Sequence, residues 1–182
     1  MSDHFLSDPY RAEPPQHDDP KANTVTVDLF KQAVGSWATG VTVVTLVDDS
    51  GRLLGFTANS FTSVSLDPPY VLVCLQRHSP SLRGFAIGRP FAVNILSADQ
   101  QELSGRFARP SEDKFAGIPY RLAEDGAPML EGCHASLGCV LEHWFHGGDH
   151  VMLMGRVEDA EVADNEPLLF HRSRYKGVRT EG

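Results

Sequence analysis

Cysteine is scarce in this chain: Cys74, Cys133 and Cys139 are the only three in 182 residues. An odd number without regular spacing makes no disulfide framework and points to reduced thiols. Basic charge is short as well. The formal net charge is -8, which argues against a nucleic-acid binder, since such proteins present a basic face. No run approaches the roughly 18 apolar residues of a membrane span. The N-terminal MSDHFLSDPYRAEPPQHDDPKANT has acids and prolines where a secretory signal has basic residues and then an apolar run. The chain is therefore expected to be soluble and cytoplasmic. Dinucleotide and phosphate-loop signatures are missing too: no G-x-G-x-x-G follows a strand, and no G-x4-G-K-[ST] occurs. Cys133, His134, Cys139, His143, His146 and His150 crowd together, but in none of the usual zinc spacings, so no metal is expected. Cys74, between Val73 and Leu75, reads as a small buried core residue and not as a nucleophile.

What is present fits one domain, at about 150 residues per domain. Residues 1–23 are polar, proline-bearing and aperiodic and read as a flexible tail; the alternative is a tail that folds over a neighbouring subunit. Residues 24–182 form the domain. Phe30, Val34 and Trp37 share one face of a helix expected from Val27 to about Ala38. Strands are expected over Val41–Val47, Arg52–Phe56, Tyr70–Gln76, Pro90–Leu96, His134–Trp144 and His150–Val162, with short pieces at Pro167–Phe170 and Arg174–Val178. Tyr70–Gln76 is apolar at nearly every position and predicts burial on both faces. Short helices are expected over His78–Ile87 and Gln100–Phe107, with a further helical turn at Asp113–Phe115, and 117–132 reads as irregular. The hairpin turns favour a mainly β fold, an antiparallel barrel with peripheral helices, over alternating βαβ units.

The most unusual stretch is GFTANSFTSVSLDPPYVLVCL at 55–75. Thr57, Asn59, Ser60, Thr62, Ser63 and Ser65 alternate with apolar anchors. One reading is a rigid cradle for a ligand rich in hydrogen-bond acceptors; the other is a turn whose hydroxyls satisfy their own backbone. His150, after Gly147-Gly148-Asp149, either points into a cleft from the start of a strand or is a turn histidine bonded to Asp149.

Taken together, WATGVTVVT at 37–45, the 55–75 stretch, FAVNIL at 91–96, LSGRFA at 103–108, DKFAG at 113–117, GDHVMLMGRV at 148–157 and PLLFHRSRY at 167–175 resemble the flavin reductase domain family. These are the NAD(P)H-dependent partners of two-component flavin monooxygenases. The resemblance implies an FMN-binding split barrel of Greek-key topology, working as a homodimer. It implies hydride transfer from NADH or NADPH to FMN or FAD, and supply of reduced flavin to a monooxygenase. By the same resemblance Thr57, Ala58, Asn59 and Ser60 line the flavin, and Ser63 and Ser65, with Leu66 beside them, meet ring, ribityl or phosphate oxygens. Gly40 and Val41 approach from the other side. Ser81, Arg83, Arg106, Phe107 and Ala108 serve as phosphate or second-subunit contacts. His150 is expected near the nicotinamide, and Arg174 and Tyr175 near the pyridine nucleotide. Two positions depart from the family pattern: Tyr70 follows DPP where an aliphatic is usual, and Trp37 stands where Phe is common. The rival readings are an oxidase of the pyridoxamine-phosphate-oxidase type that keeps its FMN, and a flavin-binding carrier or sensor without catalysis.

Overall fold

The computed structural model describes residues 25–111 and 113–178; the tail expected over 1–23 lies outside them. The described chain is mainly β, with two α-helices, α1 (Val27–Gly35) and α2 (Gln101–Ala108), and a 3-10 turn at Pro80–Gly84. Seven strands make one antiparallel sheet: β2 (Thr42–Val47), β3 (Leu53–Ala58), β4 (Thr62–Leu66), β5 (Pro69–Gln76), β6 (Pro90–Ile95), β9 (Ala135–Gly147) and β10 (His150–Val162). Their order is β3-β2-β6-β9-β10-β5-β4. A hairpin of β7 (Tyr120–Leu122) and β8 (Pro128–Leu130) stands outside this ladder. So does a small sheet of β1 (Thr39–Gly40), β11 (Leu169–His171) and β12 (Arg174–Lys176).

The sheet is strongly coiled. Register shifts interrupt the β9–β10 pairing at two places, and a bulge of this kind bends its strand and adds twist. Gly155 sits at one of them, where a Cβ would stand 2.5 Å from the Phe91 ring. Only glycine lets that strand cross so close to the aromatic. The coiling brings β3, one edge of the sheet, into contact with β5 near the other edge. Val44, Leu46, Phe56, Val73, Leu75, Phe91, Leu141, Val151 and Leu153 fill the space enclosed. A second cluster, with Val41, Leu96, Phe107, Phe115 and Leu168, packs α2 and the small sheet against the back of β2.

Several expectations change. The first helix ends at Gly35, not near Ala38, so Trp37, 77% exposed, falls beyond it; no residue of the helix is buried, Phe30 and Val34 being 58% and 51% exposed. Its apolar face is real, but nothing in the described chain covers it. β5 alternates instead of burying both faces, with Val71, Val73 and Leu75 inside and Tyr70, Leu72 and Cys74 half-buried outside. The Tyr70 hydroxyl donates to the Glu142 carboxylate, which also accepts from Arg156 Nε at 2.6 Å. The Asp113–Phe115 segment is not helical, the segment 78–87 carries only the 3-10 turn, and the region 117–132 contains the β7–β8 hairpin. No described helix is long and apolar enough to cross a membrane.

Candidate active site

β3 ends the large sheet, so every second N–H and C=O along it lacks a ladder partner. The Gly55 carbonyl lies on that open side, accepting from Lys114 Nζ at 3.0 Å and from Ser81 Oγ at 3.3 Å. The two-residue period of a strand turns the backbone of Thr57 the same way. This open edge forms one wall of a cavity of about 850 Å³. The opposite walls are Cys74–Gln76 of β5, the segment around the 3-10 turn, the C-terminal end of α2 with the loop after it, and His150.

The hydroxyls of the 57–66 stretch divide their work. The Thr57 side chain donates to the Ser104 carbonyl at 2.7 Å, tying β3 to α2. Ser60 Oγ donates to the Cys74 carbonyl at 3.1 Å and accepts from the Cys74 N–H at 3.0 Å. The reason is local: β4 pairs with β5 only as far as Thr62 opposite Leu72, so Cys74 has no backbone partner on that side and Ser60 takes its place. Both side chains brace the cavity wall. Asn59, between them, is exposed on the lining.

Charge is distributed unevenly. Arg52, Arg83, Arg109 and Lys114 all line the cavity, and no aspartate or glutamate among the described residues does, although the chain as a whole carries -8. A concave site of one sign focuses its field on ligands of the other. Arg83 is backed by Asp48 at 3.6 Å. His150 stands at the far end, opposite Gln76 across the β10–β5 pairing. Its Nδ1 is 2.7 Å from Asp149 Oδ1, and that bond holds the Asp149 carboxyl below the usual range. The two sequence readings of His150 therefore coexist, since it bonds Asp149 and lines the cavity.

Of the residues singled out in the sequence, Thr57, Ala58, Asn59, Ser60, Ser81, Arg83, Phe107, Ala108 and His150 come together on this lining. The others lie elsewhere in the chain's own fold. Ser63, Ser65 and Leu66 are on β4; Ser65 Oγ donates to the Pro68 carbonyl and Leu66 is 93% exposed. Gly40 pairs with Leu169, and Val41 is buried in the second cluster. Arg106 donates to the Ala116 carbonyl at 2.7 Å. The Tyr175 hydroxyl meets Ser104 Oγ at 2.9 Å, and Arg174 lies exposed in the β11–β12 hairpin opposite His171. Cys74, expected in the core, is half-buried on the lining, and burial there raises its thiol pKa. Lys114, Arg52, Arg109, Gln76 and His78 join the lining without a sequence signal of their own, save that Lys114 falls in DKFAG. The described residues hold no group of three or more metal-ligating side chains.

Comparison with known proteins places the chain. Residues 34–179 match the flavin reductase like domain. The reductase subunit of a flavin-dependent monooxygenase from Rhodococcus jostii is 39% identical, the match covering 88% of this chain and 82% of that one. The reductase component of the flavin-dependent trigonelline monooxygenase of Acinetobacter baylyi is 43% identical over 80% of this chain. This chain spans about half the length of that relative and of another from Rhizobium meliloti. Among solved structures, the Streptomyces globisporus NADH:FAD oxidoreductase in complex with NAD and FAD fragments superposes with a TM-score of 0.78 at 36% identity, covering 85% of this chain and 93% of that one. Motif order, fold and sequence identity agree, and the chain belongs to the flavin reductase like domain family.

Proposed function

We propose that this protein is an NAD(P)H:flavin oxidoreductase that reduces FMN or FAD and supplies the reduced flavin to a monooxygenase component. The observation that carries this reading is the cavity: a wall of strand-edge amides and carbonyls outside the ladder, with four cations and no acid on the described lining. That donor set fits a flavin. Its ring edge alternates hydrogen-bond donors and acceptors, which the backbone of Thr57 and the N–H of Gly55 can meet, the Gly55 carbonyl being taken by Lys114 and Ser81, and its chain ends in phosphate. When bound, the flavin supplies the ring that accepts hydride from the dihydronicotinamide. The protein's part is to bind, orient and exclude water. The β3 edge fixes the ring through groups already braced by Thr57, Ser60 and Lys114. Backbone N–H groups held in this way also stabilise negative charge that develops during transfer. His150, hydrogen-bonded to Asp149, orients the nicotinamide; hydride transfer needs no base from it.

The finer assignments belong to the same proposal. The coiled sheet with β3 against β5 supports a split barrel of Greek-key order. A homodimer is supported by the uncovered apolar face of α1 and by exposed Val64, Leu66 and Phe145. In such a dimer Arg174, Tyr175, Ser63 and Ser65 serve a site shared between copies. Three free cysteines agree with a cytoplasmic setting.

The test is direct. Purified protein mixed with FMN or FAD and NADH or NADPH is expected to consume the nicotinamide absorbance with multiple turnovers of free flavin. A yellow protein without turnover would overturn the reductase reading in favour of an oxidase or a carrier. A second expectation concerns His150: His150→Ala is expected to raise KM for NAD(P)H about three- to tenfold, the loss of roughly one hydrogen bond, with little change in flavin affinity. Unchanged steady-state constants for both substrates would remove His150 from the site.

A further inference from the structure

Lys114 is the one lining cation among the described residues that is both partly buried and seen to be held by two carbonyls. Its Nζ donates to the Gly55 carbonyl at 3.0 Å and to the Phe107 carbonyl at 2.8 Å. The first is on the open edge of β3. The second is in the last turn of α2, where carbonyls have no intrahelical partner and a cation suits the helix dipole. An ammonium has three N–H donors, so these two bonds aim it and leave the third. No carboxylate lies within ion-pair distance of Lys114 among the described residues, and burial lowers its pKa. The contrast with its neighbours is plain. Arg83 has Asp48 as its counter-ion and a half-exposed side chain, and Arg109 is exposed. Exposed charges are screened by salt and contribute little.

A partly buried cation that is fixed at a ligand wall and has no counter-ion among the described residues suits an anionic ligand group. We propose that the Lys114 ammonium is the counter-charge for the phosphate of the bound flavin, and the residue by which the cavity prefers FMN or FAD to riboflavin. This rests on the flavin reductase reading of the cavity. Arg106, expected at the phosphate or at a second subunit, is not on this lining and gives one N–H to the Ala116 carbonyl.

The experiment compares dissociation constants of FMN and riboflavin, read by flavin fluorescence, for wild type, Lys114→Met and Lys114→Gln. Glutamine keeps an amide donor for one of the two carbonyls, so it serves if the methionine variant does not fold. Wild type is expected to favour FMN. In the variants the FMN-to-riboflavin preference is expected to fall about tenfold or more, the size of one charge-assisted contact; riboflavin loses only what the missing brace at Gly55 costs, and FMN loses that and the charge contact together. Equal weakening of both ligands would make Lys114 a brace only and overturn the proposal. So would an unchanged ratio. An effect confined to KM for NADH would assign the phosphate to the pyridine nucleotide, and overturn it as well. Wild-type protein that binds neither flavin would sink the functional reading itself, and this inference with it.

Discussion

Gly55→Ala is expected to destabilise the protein by about 2–3 kcal/mol, within the usual range for overpacking a filled interior, and to weaken flavin binding at least about tenfold. A Cβ at Gly55 would stand 2.6 Å from Phe107 Cε1, 2.8 Å from its Cδ1 and 3.1 Å from the Val44 carbonyl oxygen. None of these can yield easily. Phe107 is 1% exposed, and its ring is packed edge-on against Phe115 with centroids 5.0 Å apart. Val44 is in the central ladder, opposite Phe56 and Val93. The strain therefore falls on the seam between β3 and α2, which is also the cavity wall. Lys114 bridges that seam through Gly55 and Phe107, and Thr57 bridges it through Ser104. Displacing α2 would loosen both bridges together. The effect should be read as a melting-temperature loss of roughly 5–10 °C, at about 2–4 °C per kcal/mol for a chain of this size, alongside a flavin titration. Gly105→Ala is the control. Gly105 lies on α2 itself, with nothing within 4 Å of where its Cβ would stand, and alanine there is neutral or stabilising by up to about 1 kcal/mol. A Gly55 variant that melts with the Gly105 variant would refute the close-contact argument.

The same seam shows what the sequence could and could not reveal. The strands β2, β6 and β10 are legible because β-branched and apolar residues alternate between clear turns, and each runs within a residue or two of its expected ends. The hydroxyl-rich stretch is legible as a special place but not in its chemistry. Thr57 and Ser60 hold walls together because β3 is an edge and β4 stops short of Cys74. Pairing partners of that kind are long-range facts, absent from any local window. The cations are a sharper case. Arg52, Arg83 and the pair Arg109 and Lys114 stand on three separate segments, each ordinary alone, and only the coiling of the sheet gathers them on one lining. The helix α1 fails in the opposite direction: its periodicity is a true amphipathic signal, but periodicity says that a face needs cover and not that the same chain provides it. Cys74 reads as buried because its neighbours are apolar; strand alternation puts it on the other face from Val73 and Leu75.

Asn94→Leu is expected to cost about 3–4 kcal/mol, the sum of several unsatisfied buried groups. Asn94 is fully buried in the middle of β6, in an otherwise apolar strand. Its Nδ2 donates to the Val43 carbonyl and to Thr45 Oγ1, both at 2.9 Å. Its Oδ1 accepts from the Leu130 N–H at 2.8 Å and from Ser136 Oγ at 3.1 Å. An amide side chain offers two donors and two acceptor lone pairs, so every capacity is filled. Thr45 extends the network by donating to the Pro128 carbonyl. The partners lie on β2, β8 and β9, so this one side chain fastens the β7–β8 hairpin to the large sheet. Leucine keeps the branched shape, though it is bulkier, but satisfies none of the four, and burial denies them water. Ser136→Ala removes a single arm and leaves Oδ1 bonded to Leu130; it is expected to cost about 1 kcal/mol. The comparison that decides is the difference between the two variants in urea or thermal unfolding. If Asn94→Leu unfolds no more easily than Ser136→Ala, the network is not a stabilising hub. The cavity offers a second readout. None of the hub's partners is on its lining, so the folded fraction of the Asn94 variant should bind flavin with near wild-type affinity. Gly55→Ala, by contrast, should lose affinity even where it is fully folded. Stability and binding would then separate along the two sides of β2: the hub on the side of β6 and the seam on the side of β3.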